Sequence, residues 1–236
     1  IQKEIKMATS GTYVFDLDLG DAIEEAFELA GLELRSGYDY KTARRSINLL
    51  MLEWQNRGLN LWTVDFSKET LTSGTFTYDL AEDRLDIVEA FIRTDDENTT
   101  SQYDQTLTKI SGSQSAHLSN KLTTGKPLQF WLEKKPTGIS FNLWPVPDAQ
   151  QTYKIGYYYM RRVEDAGSPA SLNMSVPSRY LPCLVAGLAY QLCLKYTESN
   201  AKAPIMKAEY ESQWTLAADA DREKASIYVS PGGYKF

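Results

Sequence analysis

The chain has 236 residues, 42% hydrophobic and 24% charged, a balance that suits a globular protein of one large domain or two small ones. A net charge of −6 excludes a surface that wraps DNA electrostatically, which needs clustered Lys and Arg, but not a wall that DNA slides past. A single histidine, His117, excludes a histidine-rich metal site, and no apolar run is long enough to span a bilayer.

In chain order, residues 1–6 lack the apolar core of a signal peptide. They read as an upstream extension or a non-native remnant before Met7. Residues 1–17 form an N-terminal extension, with 8–18 extended. A helix is predicted over 18–30, where Ile23, Ala26, Phe27 and Ala30 make the apolar stripe and Glu24, Glu25 and Glu28 the wet side. Gly31 closes it. A short linker then returns the chain to an antiparallel second helix over 39–57, expected to pack on the first. Tyr40, Ala43, Ile47, Leu50, Met51 and Trp54 recur at steps of three and four, Asp39 is the predicted N-cap, and Arg57-Gly58 is the stop. Lys41, Arg44, Arg45, Asn48, Gln55 and Arg57 lie mostly off that face. The helix reads either as a core helix with a solvated back, or as one with two working faces, the second turned to another subunit.

After Trp62 the chain turns β-rich. Strands are predicted at 63–66, 70–72 and 75–78, with Ser73-Gly74 as a turn, and at 85–93. Residues 94–101 form a polar, acidic loop tip, 105–110 a further strand, and 111–120 a short helical turn. The segments 127–133, 138–144 and 152–161 read as three strands of one antiparallel meander, with Pro145 and Pro147 ending the second because they lack N–H donors. After a linker at 163–176, a helix over 177–196 tolerates Pro182 only in its first turn. Leu184, Val185, Leu188, Ala189, Leu192 and Cys193 face its core, and Gly187 allows close helix approach. Cys183 and Cys193 cannot bridge within one straight helix, so they read as buried free thiols of a protein folded in a reducing cytoplasm. A last helix over 204–224 buries parts of Ile205, Ala208, Tyr210, Trp214, Leu216 and Ala217, while Asp219, Asp221, Arg222, Glu223 and Lys224 give it a wet end.

The expected class is therefore α+β: N- and C-terminal helices (18–62 with 177–224) forming a bundle, an antiparallel β-rich insert (63–176), and an extended tail (225–236). The tail carries Ile227, Tyr228, Val229, Tyr234 and Phe236, too apolar for a solvated end. It either docks on a neighbour or folds back on its own domain. The 15 tyrosines, against 8 phenylalanines, suit either surfaces that partners cover or strand interiors.

No phosphate-cradling glycine motif occurs, and no cofactor is signalled. His117 has no acidic or cysteine neighbour that would build a triad or metal site, and reads as a surface residue. Glu24/Glu25, Asp95/Asp96/Glu97 and Glu164/Asp165 resemble glycosidase carboxylate pairs only in being adjacent acids. They fall on helix backs or loops, where solvated charge is the plainer reading. The basic pairs Arg44-Arg45 and Arg161-Arg162 either meet a phosphate backbone or a partner subunit, or pair with acids of their own chain.

The run RSGYDYKTARRSINLLMLEWQNRGLNLW at 35–62 resembles the N-terminal helical hairpin of the head-to-tail adaptor, or connector, proteins of short-tailed bacteriophages, also called tail tubular protein A or head-completion proteins. WPVPD at 144–148, the Tyr-rich strand into Arg161-Arg162-Val163, and VPSRYLPCLVAGLAYQLCLKY at 176–196 match in the same order, so the likeness runs from about Met7 to Lys224. The resemblance implies a virion protein at the head–tail junction, assembled in the host cytoplasm. It implies a non-enzymatic ring of twelve copies under the portal that continues the DNA channel, retains packaged DNA and gives the tail nozzle a platform. It also implies that the extension at 225–236 reaches the portal, with Ile227, Tyr228, Val229, Tyr234 and Phe236 as its docking residues. Arg44, Arg45, Arg161 and Arg162 are then candidates for subunit or DNA-channel contacts. The competing readings are another neck ring such as a nozzle or stopper, a virion-borne glycan hydrolase, and a DNA-binding protein.

Overall fold

The computed structural model describes residues 17–58, 61–136, 138–167 and 175–222. The expected tail with Ile227, Tyr228, Val229, Tyr234 and Phe236, and most of the N-terminal extension, lie outside the described residues. The fold is α+β, with five α-helices among the described residues and mainly antiparallel sheets. Among the described residues the chain divides into two compact units, 17–56 with 163–222, and 57–162.

The first unit is helical. Helix α1 (Leu19–Ala30) begins at Asp18, whose side chain accepts the Asp21 N–H at 2.8 Å. It ends at Gly31, left-handed at φ +73°. The Gly31 N–H returns to the Glu28 carbonyl and the Leu32 N–H to that of Phe27, which satisfies the last carbonyls of the helix. Ile23, Ala26, Phe27 and Ala30 are buried as the periodicity predicts. Helix α2 (Gly37–Asn56) starts two residues before the predicted cap. Asp39 lies inside the first turn, and its carboxylate reaches back to the N–H groups of Arg35 and Ser36, both at 3.1 Å. A carboxylate in the first turn neutralises free donors there as well as a true cap would.

Helix α4 (Leu181–Lys195) follows a 3-10 turn (Ser178–Tyr180), with Pro182 in its first turn where no N–H partner is needed. It contacts α1, α2 and the final helix α5 (Ala203–Ala220), itself preceded by a 3-10 segment (Thr197–Lys202), so α1 and α2 pack mainly on α4 and not, as expected, on each other. Its apolar face is buried throughout. At Gly187 a Cβ would stand 2.8 Å from Leu50 Cδ2 and 3.0 Å from the Tyr210 ring, so glycine is what lets α2 and α5 close on α4 at that level. Trp54 of α2 is buried between Tyr180 and Trp214, ring centroids 5.6 Å from each, and its indole N–H donates to the Tyr210 hydroxyl at 3.0 Å. Cys183 and Cys193 are free and buried. Two expectations for α5 fail. Ile205, Ala208 and Leu216, predicted partly buried, are exposed, Ile205 at 65% and Leu216 at 63%, because Tyr210, Ala217 and Ala203 are the residues α5 turns to the core. Asp221, predicted on a wet end, is buried and paired with Arg179.

The second unit is a two-sheet sandwich. Strands β1 (Val64–Thr70), β2 (Thr77–Asp79), β3 (Arg84–Thr94), β4 (Tyr103–Thr106) and β5 (Thr108–Lys109) precede a one-turn helix α3 (Gly112–Ala116). Then come β6 (Thr124–Gly125), β7 (Gln129–Lys135), β8 (Gly138–Trp144), β9 (Val146–Pro147) and β10 (Tyr153–Arg161). One sheet runs β1-β10-β3-β4, the other β2-β8-β7-β5, and β6 pairs with β9. The two strands predicted at 63–66 and 70–72 are one strand, β1. The predicted meander is also corrected. The hairpin β7–β8 forms in register Gln129 to Trp144, but β10 leaves that sheet and pairs between β1 and β3. The free edge of β8 is taken by β2, and β9 turns aside to pair in parallel with β6, so the chain crosses to the other layer. Ile87, Ile92, Phe130, Phe141, Leu143, Ile155 and Tyr157 from both sheets fill the core. Within YKIGYYYMR, alternation sends Tyr153, Tyr157 and Tyr159 inward and leaves Tyr158 outside. Most of the tyrosine in this strand is therefore core. On the outer side the Phe91 ring lies against Gly156, where a Cβ would meet it at 2.4 Å.

Candidate interaction surfaces

Helix α2 has two faces. Ala43, Ile47, Leu50, Met51 and Trp54 are buried, while Tyr38, Lys41, Arg45, Leu49 and Leu52 are exposed, at 69% for Tyr38, 58% for Leu49 and 54% for Leu52. At about 100° per residue these sets lie on opposite sides of the helix. Arg44, half-buried, flanks the outer stripe and Arg45 is on it. The N-terminal end of α2 is held to the helical core by polar contacts. The Tyr40 hydroxyl donates to Glu24 at 2.9 Å and the Tyr196 hydroxyl to Asp39 at 2.8 Å. Burial and the Asp39 carboxylate push Tyr196 up to about 12, and that same hydrogen bond, with the Arg35 and Ser36 N–H groups, holds Asp39 below the ordinary carboxylate value. Further along, Lys195 of α4 donates to the buried Ser46 hydroxyl at 2.5 Å. Burial, and then the nearby Arg45 charge, lower its pKa. Sequence reasoning named Arg44 and Arg45 but missed Lys195 and the two outward leucines. Their signal was present: Leu49 and Leu52 fall off the three-four stripe and are apolar nonetheless.

The second surface is an open groove of about 1030 Å³ between α1, α4 and α5. Leu29, Leu181, Val185 and Ile205 line its floor and sides, and Asp21, Glu25 and Glu209 stand around it with Arg179. Arg179 is already engaged by Asp221. Glu25 borders this groove, whereas its neighbour Glu24 is tied to Tyr40, so this pair does not converge on one point.

In the β unit one acid that looked solvated, Asp96, is structural, while Asp95 and Glu97 beside it are exposed as expected. Asp96 keeps only 6% of its side chain exposed and takes Lys154 at 2.6 Å, Lys68 at 2.7 Å and Arg93 at 3.4 Å. Those bonds, Lys154 first, hold its carboxyl far below the usual range. Its neighbours Asp95 and Glu97 both have positive φ, 53° and 68°, so the loop is shaped around this one side chain. Arg93 also grips Asp104 through two bonds of 2.7 Å. Arg84 reaches Glu69 at 2.6 Å and lies over the rings of Tyr157 and Tyr159. Asp86 is shared by Lys109 and Lys134. Arg161 ends β10, half-buried, and Arg162 is exposed with its N–H on the Asp83 carbonyl at 2.6 Å. The two predicted arginine pairs belong to different units: Arg44 and Arg45 to the helical one, Arg161 and Arg162 to the β one. His117 is exposed at the C-cap of α3. Among the described residues no group of three or more His, Cys, Asp or Glu could hold a metal ion, and no helix is long and apolar enough to cross a membrane.

The helical unit thus presents two surfaces with apolar residues at the outside, the outer face of α2 and the groove beside α4. The sequence model of the family described as SU10 adaptor protein matches residues 17–232, and the chain belongs to that family. That is the phage head-to-tail adaptor class the sequence resemblance indicated. No curated protein matches the chain.

Proposed function

We propose that this chain is a non-enzymatic structural adaptor of a phage virion, forming a homo-oligomeric ring below the portal. The ring extends the DNA channel, retains packaged DNA and carries the tail nozzle. The observation that supports it most is the family match over 17–232. Leu49 and Leu52, three residues apart on the exposed face of α2, agree with it as apolar surface that a neighbour could cover. Ring closure needs heterologous contacts, in which one face of a subunit meets a different face of the next. The domain roles follow: a helical domain (18–62 with 177–224), a β-rich domain (63–176) and a portal-docking tail (225–236). In that tail Ile227, Tyr228, Val229, Tyr234 and Phe236 fill pockets or add a strand. The overall negative charge suits a channel that DNA passes without sticking, with Arg44, Arg45, Arg161 and Arg162 as subunit or channel contacts. Purified chain mixed with portal should give a ring-sized species in mass photometry and electron microscopy. Removal of 227–236 should abolish portal binding with the circular dichroism spectrum unchanged. A chain that stays monomeric with and without portal overturns the reading.

A further inference from the structure

Two surfaces of the helical unit are complementary. The outer face of α2 presents Leu49 and Leu52 with the cations Lys41 and Arg45 beside them. The groove between α1, α4 and α5 presents an apolar floor with Asp21, Glu25 and Glu209 at its rim. They also point in opposite directions. On α4 the groove is lined by Pro182, Val185 and Ala186, while Gly187 and Lys195 are the positions that touch Leu50 and Ser46 of α2. With Leu181 counted among the groove residues, and at about 100° per residue, the means of these two sets are about 150° apart around the α4 axis. The groove is thus on the far side of α4 from α2, and the exposed stripe of α2 looks outward again from there.

We propose that these are the two halves of the subunit interface: the Leu49/Leu52 stripe of one copy seats in the α1–α4–α5 groove of the next. Lys41 and Arg45 then meet the acidic rim, and the exposed Ile205 and Leu29 are covered. A back face that fits a front face on the opposite side makes a head-to-tail contact, which propagates and closes into a ring. Like charges would oppose the alternatives, since two α2 faces would bring cations together and two grooves would bring acids together. This assignment rests on the ring reading above and names the surfaces that build it.

The test is a cysteine pair in the full chain, Leu52→Cys with Ile205→Cys, oxidised after assembly. The native thiols Cys183 and Cys193 are buried. The expected result is a ladder of covalent multimers on a non-reducing gel, absent from each single variant. In parallel, Leu49→Glu should lower the fraction of chain in rings by at least about tenfold with unchanged circular dichroism. Ring-sized particles without a ladder overturn the surface assignment and leave the ring reading standing. So does self-crosslinking of the Leu52→Cys single variant, which would mark a two-fold α2–α2 contact, or occupation of the groove by residues 1–16 of the same chain, seen as a crosslink from Ile205→Cys to a cysteine placed there. Wild-type chain that never leaves the monomer, with or without portal, overturns both.

Discussion

The helical unit and the β unit solve the same problem with different materials. The helical core is held by apolar contact. Gly187 lets three helices converge, Trp54 fills the space between Tyr180 and Trp214, and polar bonds such as Tyr196 to Asp39 pin the rims. The β unit has its apolar sandwich too, but it is laced by charge: Asp96 under three cations, Asp86 between two lysines, Arg84 over two tyrosines. Both units leave large apolar residues outside, Phe66, Val88, Tyr103, Leu122, Leu128 and Tyr158 among those of the β unit. The helical unit turns Leu29, Leu49, Leu52, Leu194, Ile205 and Leu216 to the outside. Burying its own residues does not require those positions, so the helical unit carries apolar surface that its own fold leaves uncovered. In the helical unit part of that surface is gathered in two places, Leu49 and Leu52 along one face of α2 and Leu29 and Ile205 beside one groove, where a neighbour could cover it together.

The largest expected effect on this contrast comes from Trp54→Ala, which should cost the helical unit about 4 kcal/mol by leaving a cavity where the indole sat. Hydrogen exchange with mass spectrometry should show α1, α2, α4 and α5 losing protection while β3, β8 and β10 keep theirs. Loss of protection in both would show that the two units do not stand separately. Gly187→Leu should follow, at about 3 kcal/mol from overpacking against Leu50 and Tyr210, read by chemical denaturation. An unchanged midpoint would mean the helices can move apart at no cost.

Asp96→Asn probes the other unit. The carboxyl is held below its ordinary value in the fold, so its stabilising contribution is present above about pH 4 and is lost as pH falls through the depressed value. The variant should melt lower than wild type at pH 7, and the gap should narrow as the wild type is acidified below about pH 4. A gap that persists at low pH would show that something other than the ion pairs was removed. The smallest effect belongs to Leu49→Glu, within about 0.5 kcal/mol in the unassembled chain, because Leu49 is exposed and glutamate suits a helix. A larger loss would return Leu49 to its own core and weaken the contrast.

Much of the helical unit was legible from spacing alone. The Asp18 cap, the Gly31 stop, the first-turn Pro182 and the close approach at Gly187 each follow from the conformational preference of one residue type, so neighbours in sequence suffice to read them. Asp39 was misplaced because a carboxylate serves the first turn from more than one position. Of the candidate surfaces, Arg45 was found by its charge, whereas Leu49 and Leu52 are leucines like Leu50, and only orientation separates them. Ile205 and Leu216 were taken as inward because α5 is apolar on several sides, and which side meets α4 is settled by Tyr210.

By itself, then, the sequence determined which segments are helix and strand, where most of them stop, and the resemblance that the family match bears out. These depend on propensities, caps and spacing that act within a few residues. Tertiary structure alone decided that β10 joins β1 and β3 rather than β8, that Asp96 gathers Lys68 and Lys154 from two distant strands, and that a groove opens beside α4. Those outcomes depend on competition between partners far apart in the chain, where several pairings satisfy the local rules and only the complete packing ranks them.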